Sequence, residues 1–380
     1  MTTLRNRLAA FAATGLLCLA ASADAQQIET VAREAYIVDL ATNTVLLEKN
    51  ADAPMPPASM SKLMTLYLVF ERLKKGALSL DDTFLVSERA WRKGGSKMFV
   101  KVGDRVSVSD LLRGVIVQSG NDACIVLAEG ISGTEEAFAD AMTLRAREIG
   151  LTNSTFRNST GWPDPEHRMT AHDLAVLSQR LIEDFPEYYP IFAELDFTYN
   201  NIKQGNRNPL LYQNIGADGL KTGHTENAGY GLTASAKRGD RRVVMVLNGM
   251  ESMRQRSQES QRLLDWAFRA FDAYSFFSKD EEVTRADVWL GVDRQVPLLI
   301  PQDFRLTMTR EARGALSMTV RMTNPVAAPI AKGTQLGTLV VSAPGMQTHE
   351  IPLVAGSDVE QLGFMGRIGA AIDHVIWGSS

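Results

Sequence analysis

The chain has 380 residues, of which 45% are hydrophobic and 22% are charged, and its formal net charge at pH 7 is −4. These fractions are typical of a soluble globular protein, and the length favours two domains over one. The slightly acidic balance and the scattered Lys and Arg residues give no support for a nucleic-acid partner.

The first 25 residues have the pattern of a secretory signal peptide. Arg5 and Arg7 precede an apolar run at residues 8–21, and a small-x-small cleavage sequence follows at residues 23–25. The apolar run is short for a membrane-spanning anchor, which is the alternative interpretation. We therefore expect residues 1–25 to be removed and the mature chain to be exported from a bacterial cytoplasm. An exported chain of this kind is expected in the periplasm.

Cysteine is scarce, with only Cys18 and Cys124 in the chain. Because Cys18 lies in the predicted signal peptide, the mature protein has one thiol and no internal disulfide. Its fold must then be stabilised by its core. We expect Cys124 to be a small buried hydrophobic residue.

Hydrophobic periodicity predicts alternating strands and helices up to about residue 273. Two short strands around a turn occupy residues 34–48, and three prolines precede a helix at 60–75 that is apolar nearly all round and therefore buried. Further helices are predicted at 111–117, 121–130, 135–149, 170–184 and 257–273, and strands at 229–236 and 242–249. This order predicts an α+β fold, a sheet with an inserted helical subdomain.

The character of the sequence changes near Lys279. Residues 280–358 alternate short apolar runs with Gly, Pro and Asn turns, which predicts a small all-β domain. Residues 359–380 return to helical spacing and form a short amphipathic segment. Such a helix docks on its own protein, dimerises or lies in a membrane surface, and its single fixed positive charge, Arg367, weakens the membrane interpretation.

Three short motifs follow one another along the chain: Ser59-Met60-Ser61-Lys62, Ser119-Gly120-Asn121 and Lys221-Thr222-Gly223. Each has an ordinary structural interpretation, as a helix cap, a turn with a helix cap and a strand end respectively. A Ser-x-x-Lys alone is expected about once by chance in a chain of this length. All three in this order are much harder to explain by accident.

The first motif pairs a nucleophile with a base. Ser59 and Lys62 lie one helical turn apart at the start of the predicted helix 60–75, so their side chains share a face. A serine hydroxyl attacks a carbonyl only when its proton is removed, and a lysine desolvated by burial can accept that proton. The histidines show no metal-ligand spacing, and no metal or other cofactor is expected.

The three motifs resemble those of the penicillin-binding proteins and serine β-lactamases. The residues around them, at 119–124, 218–225 and 256–260, are similar to the low-molecular-mass D-alanyl-D-alanine carboxypeptidases of the penicillin-binding protein 5 and 6 type. The likeness covers essentially the whole mature chain. It implies an antiparallel sheet with a helical subdomain at residues 26–279, the all-β domain at 280–358, and at 359–380 a helix that anchors the protein to the outer face of the cytoplasmic membrane.

The resemblance also implies an activity and residue roles. Ser59 would attack the terminal D-Ala-D-Ala bond of a peptidoglycan stem peptide, Lys62 would accept its proton, and Ser119 would relay that proton to the leaving amine. The backbone N–H groups of Ser59 and His224 would form the oxyanion hole. β-Lactam antibiotics would acylate the same serine. The substrate-binding residues implied by the family are Asn121, Lys221, Thr222, Gly223, His224 and Arg256, with Thr222 and Arg256 gripping the substrate's terminal carboxylate.

Three alternatives share parts of this pattern. A β-lactamase must hydrolyse its acyl-enzyme quickly, but residues 155–185 contain no Glu-x-x-Leu-Asn sequence. A catalytically silent penicillin sensor would need only the acylating serine, whereas Lys62 and Ser119 are also present. A D,D-endopeptidase that cuts crosslinks is disfavoured by Arg256, because an internal peptide lacks the terminal carboxylate that the arginine would bind.

Overall fold

The computed structural model describes residues 28–366 and 368, and every structural statement below concerns these residues. The predicted signal peptide, residues 1–25, lies outside them, as does most of the predicted C-terminal helix. The first unit contains, in chain order, β1 (Glu34–Asp39), β2 (Thr44–Lys49), α1 (Lys62–Lys74), β3 (Thr83–Leu85), α2 (Glu88–Arg92), β4 (Arg105–Ser107), α3 (Val108–Ile116), α4 (Asn121–Ser132), α5 (Glu135–Glu148), α6 (Ala171–Asp184), β5 (Asp196–Tyr199), β6 (Ile202–Gly205), β7 (Ala217–Thr225), β8 (Gly229–Arg238), β9 (Arg241–Met250) and α7 (Met253–Ala270).

An antiparallel five-stranded sheet with the order β2-β1-β9-β8-β7 organises the first unit. Side chains alternate between the two faces of each strand. In β1, Ala35 and Ile37 enter the core that contains the apolar face of α7, whereas Tyr36 and Val38 enter the core of the helical subdomain. Both faces are thus covered, which explains why the inner strands β1 and β9 are rich in apolar residues.

Helix α1 lies at the centre of the helical subdomain. It contacts α3, α4, α5 and α6, and ten of its thirteen residues are buried. The nearly uniform apolar sequence of α1 is therefore explained by neighbours on most of its circumference. The 3₁₀ turn Ala58–Ser61 leads directly into α1, so the segment that carries Ser59 is fixed by the packed core beneath it.

A second unit with its own apolar core follows α7. Its elements are β10 (Phe271–Phe277), β11 (Glu282–Trp289), β12 (Gln295–Leu299), β13 (Phe304–Thr309), α8 (Arg310–Gly314), β14 (Ser317–Met322), β15 (Val326–Ala327), β16 (Gln335–Ser342) and β17 (His349–Ala355). Six strands form a sheet with the order β14-β16-β17-β12-β11-β15, and β10 pairs with β13. Apart from the five-residue helix α8, this unit is all-β as predicted.

The fold class predicted from the sequence is confirmed, with one shift in position. The helix expected at 257–273 begins earlier and ends at Ala270, and residues 271–277 already form β10 of the second unit. The first strand of that unit thus precedes residue 279, where the change in composition suggested a boundary. Antiparallel pairing with β13 extends this aromatic-rich segment, whose first three residues helical periodicity alone had assigned to the helix.

The predicted C-terminal helix is described only at its start. Residues 364–366 and 368 are helical, and the apolar side chains of Phe364 and Met365 are 70% and 79% exposed. The remainder of the segment 359–380 beyond these residues lies outside the described part of the chain. Within the described part, no helix has the length and apolar content needed to cross a membrane.

Candidate active site

Ser59 and Lys62 are brought together by the change from a 3₁₀ turn to an α-helix. In 3₁₀ geometry, side chains three residues apart are eclipsed, so a Ser-x-x-Lys sequence across this turn faces one direction. Lys62 Nζ lies 2.9 Å from Ser59 Oγ. Ala58, just before the serine, has a φ of 48°, a left-handed conformation that turns the chain sharply into the helix.

Lys62 is fully buried and contacts three oxygen atoms. Its Nζ donates to Ser59 Oγ at 2.9 Å, to Asn121 Oδ1 at 2.8 Å and to the carbonyl of Thr160 at 2.5 Å. Burial lowers the pKa of Lys62 to about 8, with smaller lowering contributions from Arg207 and Lys93. A lysine with this pKa is neutral in about a tenth of molecules at pH 7 and can serve as a base.

The second motif lies in the sharp connection between α3 and α4. Ser119 has a φ of 59°, and Asn121 is the first residue of α4. Asn121 is held at both ends of its amide, since its Oδ1 accepts from Lys62 and its Nδ2 donates to the carbonyl of Gly94 at 2.9 Å. This arrangement aligns the second motif with the Ser59–Lys62 pair.

The third motif lies on β7, at the edge of the central sheet. Lys221 is buried, and its Nζ donates to Ser119 Oγ at 2.9 Å. Burial, and then the charge of Lys62, lower the pKa of Lys221 well below its ordinary value. Gly223 permits the close approach of β7 to the nucleophile turn, because a Cβ at this position would lie 2.9 Å from the carbonyl oxygen of Pro57.

These elements enclose a cleft of about 450 Å³. Ser59 and Ser119 line it together with Thr222, Gly223, His224 and Arg256, and the contacts of Lys62, Asn121 and Lys221 place them immediately beside it. All nine residues predicted from the sequence therefore occur at one site. Four further residues line the cleft that no sequence motif signalled: Ser96, Arg207, Tyr230 and Met253.

Arg207 and Arg256 give one end of the cleft a positive charge. Arg207 Nη1 donates to Ser96 Oγ at 2.5 Å, and Arg256 Nη2 lies 3.5 Å from the carbonyl oxygen of Arg207. Neither guanidinium has a carboxylate partner among the described residues, and Arg256 Nε is buried without a hydrogen-bond partner. Burial lowers the pKa of both arginines. The buried Arg256 and the more exposed Arg207, neither paired with a carboxylate, make this end an anion site.

Aromatic side chains line one part of the cleft, and a buried carboxylate fixes a neighbouring loop. The rings of His224 and Tyr230 stack with centroids 3.8 Å apart, and the Arg256 guanidinium lies 5.9 Å from the Tyr230 ring. On the other side, the carboxylate of Asp122 accepts from the backbone N–H groups of residues 98–100 and so fixes the loop that carries Ser96. No motif in the sequence signalled this role of Asp122.

Cys124 lies one helical turn beyond Asn121 on α4 and is completely buried as a free thiol. Burial raises the pKa of this thiol to about 12, so it remains protonated and acts as an apolar packing group. Within the described residues, no cluster of three or more His, Cys, Asp or Glu side chains has the arrangement of a metal site.

The arrangement is suited to acyl transfer by a serine. A hydroxyl lies beside a buried amine, a second Ser–Lys hydrogen bond lies across the cleft, and an anion site occupies one end. The cleft contains no histidine–carboxylate pair beside either serine in the described part of the chain, so the lysines are the groups that contact the hydroxyls.

Comparison with known proteins agrees with this chemistry. The model of the D-alanyl-D-alanine carboxypeptidase family matches residues 20–252, and that of the penicillin-binding protein 5 C-terminal domain matches residues 271–361. The chain is 41% identical to D-alanyl-D-alanine carboxypeptidase DacC of Escherichia coli K12 over 345 residues, which cover 89% of this chain and 86% of that protein.

Solved structures show the same relationship. Penicillin-binding protein 5 of Haemophilus influenzae aligns with a TM-score of 0.77 and 35% identity, covering 88% of this chain and 99% of that one. The carboxypeptidase DacD of Francisella tularensis aligns with a TM-score of 0.78 and 31% identity, covering 88% and 95% respectively. From the matched family model, the identity and the shared fold, we conclude that this chain belongs to the D-alanyl-D-alanine carboxypeptidase family.

Proposed function

We propose that this protein is a serine-type D-Ala-D-Ala carboxypeptidase that removes the terminal D-alanine from peptidoglycan stem peptides, and that penicillins acylate the same serine. The observation that carries the proposal is the position of the Ser59–Lys62 pair beside an anion site with no protein carboxylate in it. A peptide whose terminal carboxylate binds Arg207 and Arg256 presents its last peptide bond, and no internal bond, to the serine.

The reaction has two steps. Neutral Lys62 accepts the proton of Ser59 Oγ, which attacks the carbonyl of the penultimate D-alanine, and the backbone N–H groups of Ser59 and His224 bind the oxyanion. The tetrahedral intermediate releases D-alanine after its amine receives a proton through Ser119, which Lys221 contacts at 2.9 Å. Water then hydrolyses the acyl-enzyme and regenerates the hydroxyl of Ser59.

The edge position of β7 supports the assignment of substrate-binding residues. An edge strand has unpaired backbone N–H and C=O groups on its outer side, and an extended peptide can pair with them. Residues 222–224 of β7 line the cleft on that side, and Asn121 lies opposite. The substrate is thus held by Asn121, Lys221, Thr222, Gly223 and His224 along its backbone, and by Arg256 at its carboxylate.

The deciding experiment incubates purified residues 26–380 with diacetyl-Lys-D-Ala-D-Ala and measures free D-alanine. We expect release by the wild type and none by Ser59→Ala. A peptide ending in D-Ala-D-Ala amide tests the anion site, because the neutral terminus leaves both arginines without a partner. Absence of release by the wild type, or equal release by Ser59→Ala, refutes the proposal.

The same experiment separates the alternatives. Turnover of a chromogenic cephalosporin faster than of the peptide indicates a β-lactamase, and labelling by a fluorescent penicillin without peptide hydrolysis indicates a sensor. A D-alanyl-D-alanine endopeptidase of Escherichia coli K12 is 30% identical over 269 residues, so cleavage of a crosslinked dimeric peptide should be measured as well. The arginine pair favours the carboxypeptidase.

We also propose that residues 1–25 direct export and that the helix at 359–380 associates the protein peripherally with the outer face of the cytoplasmic membrane. The exposed apolar side chains of Phe364 and Met365 at the start of this segment support the second part. Deleting residues 360–380 should move the protein from the membrane fraction to the soluble fraction. An unchanged distribution contradicts the anchor.

A further inference from the structure

Lys93 and Trp162 form a pair at the rim of the cleft that none of the proposed roles uses. Lys93 Nζ lies 4.3 Å from the centre of the Trp162 ring, a cation–π contact. The ring is 43% exposed and lies against Gly94 and Gly95, because a Cβ on either glycine would approach it within 3.9 Å. The absence of side chains at both glycines permits this packing.

Both members of the pair are connected to the catalytic hydrogen bonds. The carbonyl of Gly94, the residue after Lys93, accepts from Asn121 Nδ2 at 2.9 Å. The carbonyl of Thr160, two residues before Trp162, accepts from Lys62 Nζ at 2.5 Å. The pair thus adjoins the side of the site formed by Asn121 and Lys62.

The loop at residues 93–96 connects this pair to the anion site. Ser96, at one end of the loop, accepts from Arg207 in the anion site that binds the terminal carboxylate. Lys93 and Trp162 are not among the residues that line that pocket, and Gly94, next to Lys93, contacts Asn121. A substrate with its carboxylate at the arginines and its scissile carbonyl at Ser59 extends its upstream residues past Ser59 and Lys62, and we infer that these residues reach the Lys93–Trp162 pair beside Lys62 and Asn121.

The ammonium of Lys93 is available for an anion. Within residues 28–366, no carboxylate lies within ion-pair distance of it. Burial lowers the pKa of Lys93, and the charge of Glu135 opposes this only in part. The Glu135 carboxylate already accepts hydrogen bonds from Arg89 and Ser159. A half-buried cation with no neutralising partner, beside an exposed ring, is a site for an acidic group on an organic chain.

We propose that Lys93 and Trp162 form an upstream subsite for a carboxylate of the acyl-donor peptide, on a residue that precedes D-Ala-D-Ala. The ammonium pairs with the carboxylate, and the exposed edge of the Trp162 ring contacts the aliphatic part of the same residue. This inference rests on the proposed carboxypeptidase function and adds a preference for acidic over amidated stem peptides.

Two peptides of equal size test the subsite: acetyl-γ-D-Glu-Lys(acetyl)-D-Ala-D-Ala with a free α-carboxylate, and the same peptide with that carboxylate amidated. For wild-type protein we expect kcat/KM to be about three- to fivefold higher for the acid, the size of one partly exposed charge pair. The ratio should fall toward one as salt is raised, because salt screens such a pair.

Substitutions assign the preference to Lys93. Lys93→Met should bring the acid-to-amide ratio to about one, and Lys93→Glu should invert it, whatever the change in absolute rate. The matched control is Lys97→Met, which removes a nearby lysine whose ammonium donates to the carbonyl of Trp91 at 2.5 Å and should leave the ratio unchanged.

Each outcome supports or overturns the subsite. A wild-type ratio of one, a ratio that persists in Lys93→Met, or an equal loss in Lys97→Met refutes it. If Lys93→Met lowers kcat/KM equally for both peptides and leaves the acid-to-amide ratio unchanged, Lys93 acts on Lys62 through its charge and not on the substrate. Suppose that the peptide with the amidated γ-D-Glu α-carboxylate still releases D-alanine, and that this release depends on Ser59. The carboxypeptidase function then holds even if the subsite is refuted.

Discussion

Lys62 Nζ lies 2.9 Å from Ser59 Oγ, and it is the closest basic group to that hydroxyl among the contacts of the described residues. The amine is fully buried and shares its remaining hydrogen bonds with an amide oxygen and a backbone carbonyl, so no carboxylate contacts it directly. The more distant charge of Asp122 offsets only part of the effect of burial. This environment gives Lys62 the lowered pKa that a proton acceptor needs, and it sets the pH dependence of acylation.

We expect the rate of acylation by a penicillin to rise with pH through about 8, because Lys62 must lose its proton to act as a base. Lys62→Arg should abolish acylation, since a guanidinium stays protonated at every accessible pH. The measurement is the second-order labelling rate between pH 6 and 9.5. Lys75→Arg, at the exposed end of α1, is the matched control and should behave as wild type. A flat profile, or an active Lys62→Arg, would exclude this role.

Asn158 holds the loop that contacts Lys62. Its Oδ1 accepts from Thr160 N, Thr160 Oγ1 and Trp162 N at 2.9–3.1 Å, and this turn presents the Thr160 carbonyl to Lys62. Asn158→Ala should lower kcat/KM roughly 10- to 100-fold, since a displaced carbonyl misplaces the base. If Lys62 loses the Thr160 carbonyl as an acceptor, its ammonium form is less stable and its pKa falls, so the pH profile of kcat/KM should shift to lower pH.

The control for Asn158 is Asn153→Ala in the same loop, where the backbone N–H, and not the side chain, donates to Asp173. This variant should retain both the rate and the pH profile. If Asn158→Ala loses activity in proportion to its loss of folded protein, with an unmoved profile, then Asn158 serves stability alone.

Gly161 allows the same loop to pack against the nucleophile turn. Its φ is +76°, and an added Cβ would lie 1.9 Å from the carbonyl oxygen of Ala58. Gly161→Ala should therefore destabilise the fold by about 3 kcal/mol or more and displace Ser59. Gly133→Ala is the control, because φ is +80° there but nothing lies within 4 Å. It should cost roughly 1–2 kcal/mol and leave acylation intact. If urea unfolding shows the same loss of free energy of unfolding for Gly161→Ala and Gly133→Ala, backbone strain alone accounts for the effect.

His167 should make the protein less stable in acid. It is buried beneath the loop, its Nδ1 accepts from Arg157 N at 3.3 Å, and burial lowers its pKa to about 4. The unfolded chain therefore binds a proton that the folded chain does not, between about pH 6.5 and pH 4. The resulting stability is complete above pH 6.5, and about 3 kcal/mol is lost as the pH falls toward 4.

The variant His167→Asn retains an acceptor for Arg157 N but does not titrate in this range. Its free energy of unfolding, measured in urea between pH 4 and 7, should fall less steeply than that of the wild type by the contribution of one proton. Parallel curves for the two proteins would show that His167 is not the group that titrates.

Much of the site could be predicted because its motifs are local. The spacing of Ser59 and Lys62 specifies a shared face in any helical turn, and the glycine after Ser119 specifies a sharp connection between two helices. The buried helix α1 and the strands β8 and β9 were likewise predicted from periodicity, since a segment surrounded by apolar neighbours must itself be apolar.

The tertiary structure decided what depends on contacts between distant segments. Arg207 and Ser96 meet across 111 positions, and nothing in the sequence around either residue indicates the other. Phe271–Phe277 forms a strand because β13 pairs with it, although Phe271 also fitted the preceding helical pattern. Local spacing thus predicted the proposed nucleophile and its base. The anion site, the lowered pKa of the base and the upstream rim arise from burial and from pairing of remote segments, which spacing along the chain does not encode.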